Sequence, residues 1–253
     1  MYDCVMAVQE GRAEQAIVPI ENSLEGSVNV TLDALALDTD KVAIVGEVVH
    51  PIRHCLIARS HIPLERIERV ISHPQANAQC SRFIRERLPD ATVVAADSTA
   101  DAVRIVAGSD HPWGALGNRL CAELYGCEVL EDGVENIPGN ETRFVFLGRE
   151  RLPRSTSGAW KTSLVFWGLA DAPGALVEVL KAFAERAINL SKIESRPLKL
   201  GLGRYIFFVD LEGHERDEQV VKAIEAVRDT VETLRVLGSY PAARPAEETG
   251  GDG

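Results

Sequence analysis

The sequence lacks an excess of positive charge, a paired-cysteine motif, an H-E-x-x-H motif and any long apolar run. Its 27 Lys and Arg stand against 38 Asp and Glu in 253 residues, a formal net charge of -11. A general nucleic-acid binder needs a basic face to neutralise phosphates, so that class is set aside. An anionic small molecule needs only a few local donors and stays open. The five cysteines, Cys4, Cys55, Cys80, Cys121 and Cys127, form no C-x-x-C, and none lies beyond residue 127. They read as reduced thiols of a cytosolic, that is cytoplasmic, protein. The six histidines are scattered and show no H-E-x-x-H spacing, so no metal is expected. No basic-then-apolar leader precedes residue 20 and no apolar run reaches spanning length, so no membrane partner is expected.

Short apolar runs alternate with helical patterns in the first half. The expected strands are 15–20, 43–48, 54–58, 69–71, 92–95, 113–116 and 143–147; the expected helices are 31–37, 75–88, 100–107 and 118–124. Such alternation argues α/β architecture with a largely parallel sheet, where ligands bind beyond the carboxyl ends of strands. "MYDCVMAVQEG" reads as the end of a helix closing at Gly11. "GRERLPRSTSGAWK" is basic, aperiodic and carries Pro and Ser, which marks a linker at 150–161 between a first domain, 1–149, and a second, 162–240. The second domain reads βαββαβ: strands at 162–169, 190–198, 204–211 and 234–237, helices at 174–187 and 217–231. That order is ferredoxin-like. The tail 241–253, rich in Pro, Gly and acids, is expected to be disordered.

Three junctions, "PIENSLEGSVNV", "ISHPQANAQC" and "AADSTADAV", place polar residues where an apolar strand ends and a helix should begin. Unpaired N–H groups at a helix start bind anions without basic side chains. Ser98 and Thr99 also suit plain capping, with Asp101 completing a capping box, and Gln75–Cys80 an ordinary helical turn. Glu21 followed by Asn22 serves neither a core nor a simple turn, and Gly26 beyond them lets backbone approach a ligand. In "NETRFVFL", Thr142 and Arg143 open a further strand; each alone is a common strand residue.

Taken in order, "VPIENS.EGSV", "SHPQ...QC", "STADA", "ALGN...ELYG..VL" and "N.TRF" resemble the prephenate dehydratase catalytic domain. "PGALVEVLKAF" and "NLSKIESRP" are similar to the phenylalanine-binding motifs of the ACT module that follows it in that family. The resemblance covers nearly all of residues 1–240. It implies an α/β fold: a two-lobed catalytic domain of the periplasmic-binding-protein (type II) kind, then a ferredoxin-like ACT domain. The lobes are expected to enclose a cleft, with the chain crossing near 48–51 and returning near 131–136.

The implied reaction takes prephenate to phenylpyruvate with loss of CO2 and water, and needs no cofactor. The implied catalytic residues are Thr142, Glu21, Asn22 and Gln79. Substrate contacts fall to Ser23, Ser72, Ser98, Thr99, Arg143 and Phe144, with Arg143 as the natural carboxylate clamp. Hydroxide leaves poorly, so a proton donor must meet it; Thr142 and Glu21 both remain open for that part. Phenylalanine is the implied effector, held by Asp171, Pro173, Gly174, Ala175, Leu176, Asn189, Glu194, Ser195, Arg196 and Pro197 between ACT domains of a homodimer or homotetramer. The family's opening strand and G-P-x-G-T-[FY]-type turn are absent here, in keeping with a chain that opens within a helix. Two further readings follow: dehydration of arogenate, the amino-acid analogue, and a dimeric phenylalanine sensor whose catalytic half is impaired.

Overall fold

A computed structural model describes residues 1–155, 158–198 and 203–243. The chain opens with α1 (Tyr2–Gln9), β1 (Gln15–Asn22), the two-residue β2 (Gly26–Ser27), α2 (Asn29–Asp33) with a wide π-helical turn Ala34–Asp38, and β3 (Ala43–Pro51). Next come β4 (Cys55–Ala58), β5 (Arg69–Ser72), α3 (Pro74–Gln79), α4 (Ser81–Arg87), β6 (Thr92–Ala95), α5 (Thr99–Ala107), β7 (Trp113–Gly117), α6 (Arg119–Tyr125), β8 (Glu128–Asp132) and β9 (Glu141–Gly148). The last stretch is β10 (Trp160–Leu169), α7 (Ala175–Ala184), β11 (Leu190–Pro197), β12 (Tyr205–Glu212), α8 (Glu218–Arg228) and β13 (Val231–Pro241). Of the tail expected at 241–253, residues 244–253 lie outside the described residues, as do 156–157 of the linker.

The chain divides into two units. One joins Met1–His50 to everything from Thr142 onward; the other is Pro51–Glu141. The outward crossing falls where the sequence places it. The return comes later, because "EVLED" forms β8 and extends the second unit's sheet, order β6-β5-β7-β4-β8. Its acidic ends hid that strand from an apolar-run reading. β5 pairs in parallel with β6 and β7; β4 is antiparallel to β7 and β8, and β1 is antiparallel to β2 and β9. The largely parallel sheet is thus corrected to mixed sheets. The single helix expected at 75–88 breaks at Cys80, which leaves helical geometry and buries its thiol.

In the first unit the sheet β2-β1-β9-β3 faces the sheet β11-β12-β10-β13. Val18, Ile20, Val145 and Leu147 pack with Val5, Val8 and Leu32, and with Val165, Phe208, Leu237 and Tyr240. Residues alternate faces along a strand. Leu164 and Phe166, flanking Val165, therefore turn the other way, onto Val179 and Phe183 of α7 and Val220, Ile224 and Val227 of α8. Gly238 of β13 sits so near the backbone of Ile44 on β3 that a side chain there would collide with it. Among the described residues no helix is long and apolar enough to cross a membrane, and no group of three or more His, Cys, Asp or Glu is disposed to hold a metal.

Candidate active site

The end of β1 and the start of β9 bring together residues 120 apart in sequence. Asn22 lies opposite Thr142 and Glu21 opposite Arg143. The junction expected to lead straight into a helix is a hairpin: Asn22 pairs with Gly26 and Glu21 with Ser27 before α2 begins. Gly26 has φ +81 with open space around it, so its freedom serves the turn. Ser23 is exposed at the tip. The Asn22 side-chain Oδ1 accepts from the N–H groups of Leu24 (3.0 Å) and Glu25 (3.1 Å), which fixes the amide plane. Its Nδ2 then donates to Thr142 Oγ1 at 2.9 Å. The Thr142 hydroxyl thus acts as acceptor in this pair.

The pleat separates the two neighbouring pairs. Thr142 and Phe144 share one face of β9; Arg143, Val145 and Leu147 share the face buried against the C-terminal sheet. Arg143 keeps only 11% of its side chain exposed. Its Nε donates to Glu47 (2.6 Å), Nη1 to Asp210 (2.5 Å) and Nη2 to the Tyr240 hydroxyl (2.8 Å), with Glu21 at 3.6 Å. Burial works to lower the Arg143 pKa, but the Asp210 and Glu47 carboxylates outweigh it and hold the pKa above the ordinary value. Burial, then Asp210, pushes the Tyr240 phenol well above its ordinary value. Here the guanidinium expected as a carboxylate clamp ties β9 to β3, β12 and β13. Glu21 Oε1 lies 3.0 Å from Lys192 Nζ on that same buried face.

In the second unit, Ser72 is fully buried and donates to the Leu116 carbonyl (2.7 Å), so its proton is taken and it serves sheet packing. His73, not Ser72, caps α3, its Nδ1 accepting from Gln75 N–H. Gln79 Oε1 lies 2.9 Å from Nε2 of the buried His54; with Nε2 donating, the ring holds the carboxamide in place. Ser98 caps α5, accepting from Asp101 N–H at 3.0 Å, and Thr99 is the first helical residue. The Asp101 carboxylate turns to Arg104, so the capping box is half formed.

The pleat also divides the expected effector residues. Ser195 and Pro197 face outward and are exposed. Glu194 accepts from the Ser27 hydroxyl and lies 3.3 Å from Lys192, while Arg196 reaches Asp33 (2.7 Å) and the Asn29 carbonyl (3.2 Å). Those two side chains thus hold the first sheet's hairpin and α2. Asn189 donates to Glu212. Gly174 precedes α7 with φ +90 and open space around it, after Asp171 and Pro173 and before Ala175 and Leu176. The sequence reading missed His54, Glu47, Lys192, Asp210 and Tyr240. The one available signal was the polar alternation of "SKIESR" and "VDLE" beside apolar strand positions.

The family model for prephenate dehydratase matches residues 1–152, and that for the ACT domain residues 162–229. The prephenate dehydratase of Methanocaldococcus jannaschii is 44% identical over 227 residues, 89% of this chain and 80% of its own. The bifunctional chorismate mutase/prephenate dehydratase of Aquifex aeolicus is 41% identical over 241 residues, 95% of this chain and 65% of its own. The chain thus spans a little under two thirds of that bifunctional relative. The crystal structure of prephenate dehydratase from Arthrobacter aurescens in complex with L-Phe superposes with a TM-score of 0.84 at 38% identity, over 98% of this chain and 82% of that one. With the paired ends of β1 and β9 and a ferredoxin-like C-terminal sheet in place, these matches make the chain a member of the prephenate dehydratase family that carries a C-terminal ACT domain.

Proposed function

We propose that the protein is a prephenate dehydratase, forming phenylpyruvate, CO2 and water, with phenylalanine as effector. The observation that carries this reading is the Asn22–Thr142 pair. Asn22 Nδ2 occupies a lone pair of Thr142 Oγ1 at 2.9 Å and so aims the hydroxyl proton outward. In the reaction the ring C–CO2 bond breaks, its electrons enter the ring, and the ring C–OH bond breaks as aromaticity forms. Thr142 donates a hydrogen bond to the departing oxygen and relays a proton from solvent to it, so that it leaves as water and the Thr142 hydroxyl is restored. Glu21 faces the opposite side of the strand, which favours Thr142 over Glu21 beside the leaving group. Phe144, on the Thr142 face, offers an apolar wall that eases loss of the carboxylate charge. In the other unit, taken by itself, Gln79 is held by His54, and the start of α5 at Ser98 and Thr99 offers N–H donors.

The ACT domain binds phenylalanine in this reading. The start of α7 after Gly174 offers N–H groups to its carboxylate, and Leu176 an apolar contact. Strand β11 is an edge strand with Ile193, Ser195 and Pro197 exposed, and Val177 of α7 is exposed nearby in sequence to that helix start. An unpaired edge with apolar side chains is a template for a second copy, so we assign the homodimer contact, and any tetramer built from it, to this flank.

The test is turnover by the full chain, with prephenate and arogenate offered separately and calorimetry with phenylalanine in parallel. Phenylpyruvate from prephenate supports the reading. Product from arogenate alone moves the substrate to the amino-acid analogue, and phenylalanine binding without turnover of either makes the chain a sensor.

A further inference from the structure

We infer that Lys192, supplied by the C-terminal sheet, is a positioning residue for the dehydration chemistry: it clamps the β1–β2 hairpin from behind and so aims Asn22 at Thr142. The inference rests on the dehydratase reading. Lys192 lies on β11 with 11% of its side chain exposed. Its ammonium donates to Ser27 Oγ at 2.8 Å and lies 3.0 Å from Glu21 Oε1 and 3.3 Å from Glu194 Oε2. Three partners match the three donors of an ammonium.

Glu21 and Ser27 are themselves opposite each other across the hairpin. One cation thus grips both strands at the last pair but one before the turn. The last pair, Asn22 with Gly26, carries the amide that orients Thr142. Strand β9 is held on the same buried face, through Arg143 on Asp210, and Asp210 is the cross-strand partner of Lys192 on β12. Both halves of the Asn22–Thr142 pair are therefore fixed from one cross-strand pair of the C-terminal sheet. Apolar side chains would stabilise this interface as well as buried charges do, since desolvation offsets most of the Coulomb gain. What charges add is a defined register, and register is what the Asn22–Thr142 bond requires.

Lys192 lies on the face of the hairpin away from Thr142. Its loss should therefore lower kcat and spare substrate binding. Misplacement from a residue remote from the chemistry costs up to about 100-fold. The experiment compares native chain, Lys192→Met, Glu21→Gln and the double variant on prephenate, with thermal melts to confirm folding. The expected result is a kcat about 10- to 100-fold lower in Lys192→Met, KM within about threefold, and little further loss when Lys192→Met is added to Glu21→Gln. Native kcat in Lys192→Met, or losses that multiply in the double variant, overturns the inference while leaving the dehydratase reading intact. A native chain inert on prephenate overturns both. If Lys192→Met does not fold, Ser27→Ala removes the other hairpin partner: a kcat loss at steady KM supports the clamp, and unchanged kcat rejects it.

Discussion

At the scale of single residues, the account turns on which face of a strand each side chain occupies. Glu21 and Asn22 are adjacent, yet one meets Lys192 and the other Thr142. Glu21→Gln should therefore lower kcat but leave the alkaline limb of its pH profile in place. Disappearance of that limb would make Glu21 the acid. Asn22→Ala should cost a large part of the turnover that Thr142 provides, because the hydroxyl is then free to rotate. The cysteines give an independent check on packing. Burial pushes Cys55 and Cys80 up to about 12, with a further push at Cys55 from its bond to Asp132, whereas Cys4 is exposed. Alkylation at neutral pH should label Cys4 in the folded chain and reach Cys55 and Cys80 only on unfolding. The identities of Glu21, Asn22 and Thr142 were legible in the sequence as polar residues at strand ends. Their partition was not, because a bulge between Pro19 and Glu21 shifts the pairing, and no apolar pattern reports it.

At the scale of elements, two strands carry the contact between sheets. Gly238→Ala would drive a methyl group into the Ile44 backbone and force β13 from β3, a larger effect than ordinary overpacking at about 1–3 kcal/mol. Asp210→Ala leaves the Arg143 guanidinium with one buried charge partner fewer. Breaking such a pair typically costs about 3–5 kcal/mol, readable from denaturant midpoints. His214, buried against Trp160 in the turn before α8, has its pKa lowered by burial. An unfolded histidine takes a proton near pH ~6.5 while the folded one resists until lower pH. Stability from this group is thus full above pH ~6.5 and falls as the pH drops below it. His214→Phe should flatten that part of the acid limb in thermal melts; an unchanged limb would place the sensitivity elsewhere. The βαββαβ order of the C-terminal sheet was legible because each helix shows one apolar face. Strand β8 and the break at Cys80 were not, the first for its acidic ends, the second because "QANAQCSRF" keeps helical composition across the break.

At the scale of the whole molecule, the C-terminal sheet is part of the fold that holds β1 and β9. The sequence places a linker between two domains, yet β10, β12 and β13 share a core with β1, β3 and β9. Apolar periodicity could not show this, because the inward face of β11 is charged: Lys192, Glu194 and Arg196 meet Glu21, Ser27 and Asp33 of the first sheet and α2. Gly174→Val is strained by its φ of +90 and should weaken phenylalanine binding in calorimetry while sparing basal turnover; unchanged affinity would move the effector away from the start of α7. The central claim, that Thr142 aimed by Asn22 carries the dehydration, is tested most directly by phenylpyruvate formation from prephenate by native chain and Thr142→Ala side by side, both shown to be folded. The account predicts turnover by the native chain and a kcat ~100-fold or more lower in the variant; a variant with native kcat would contradict it.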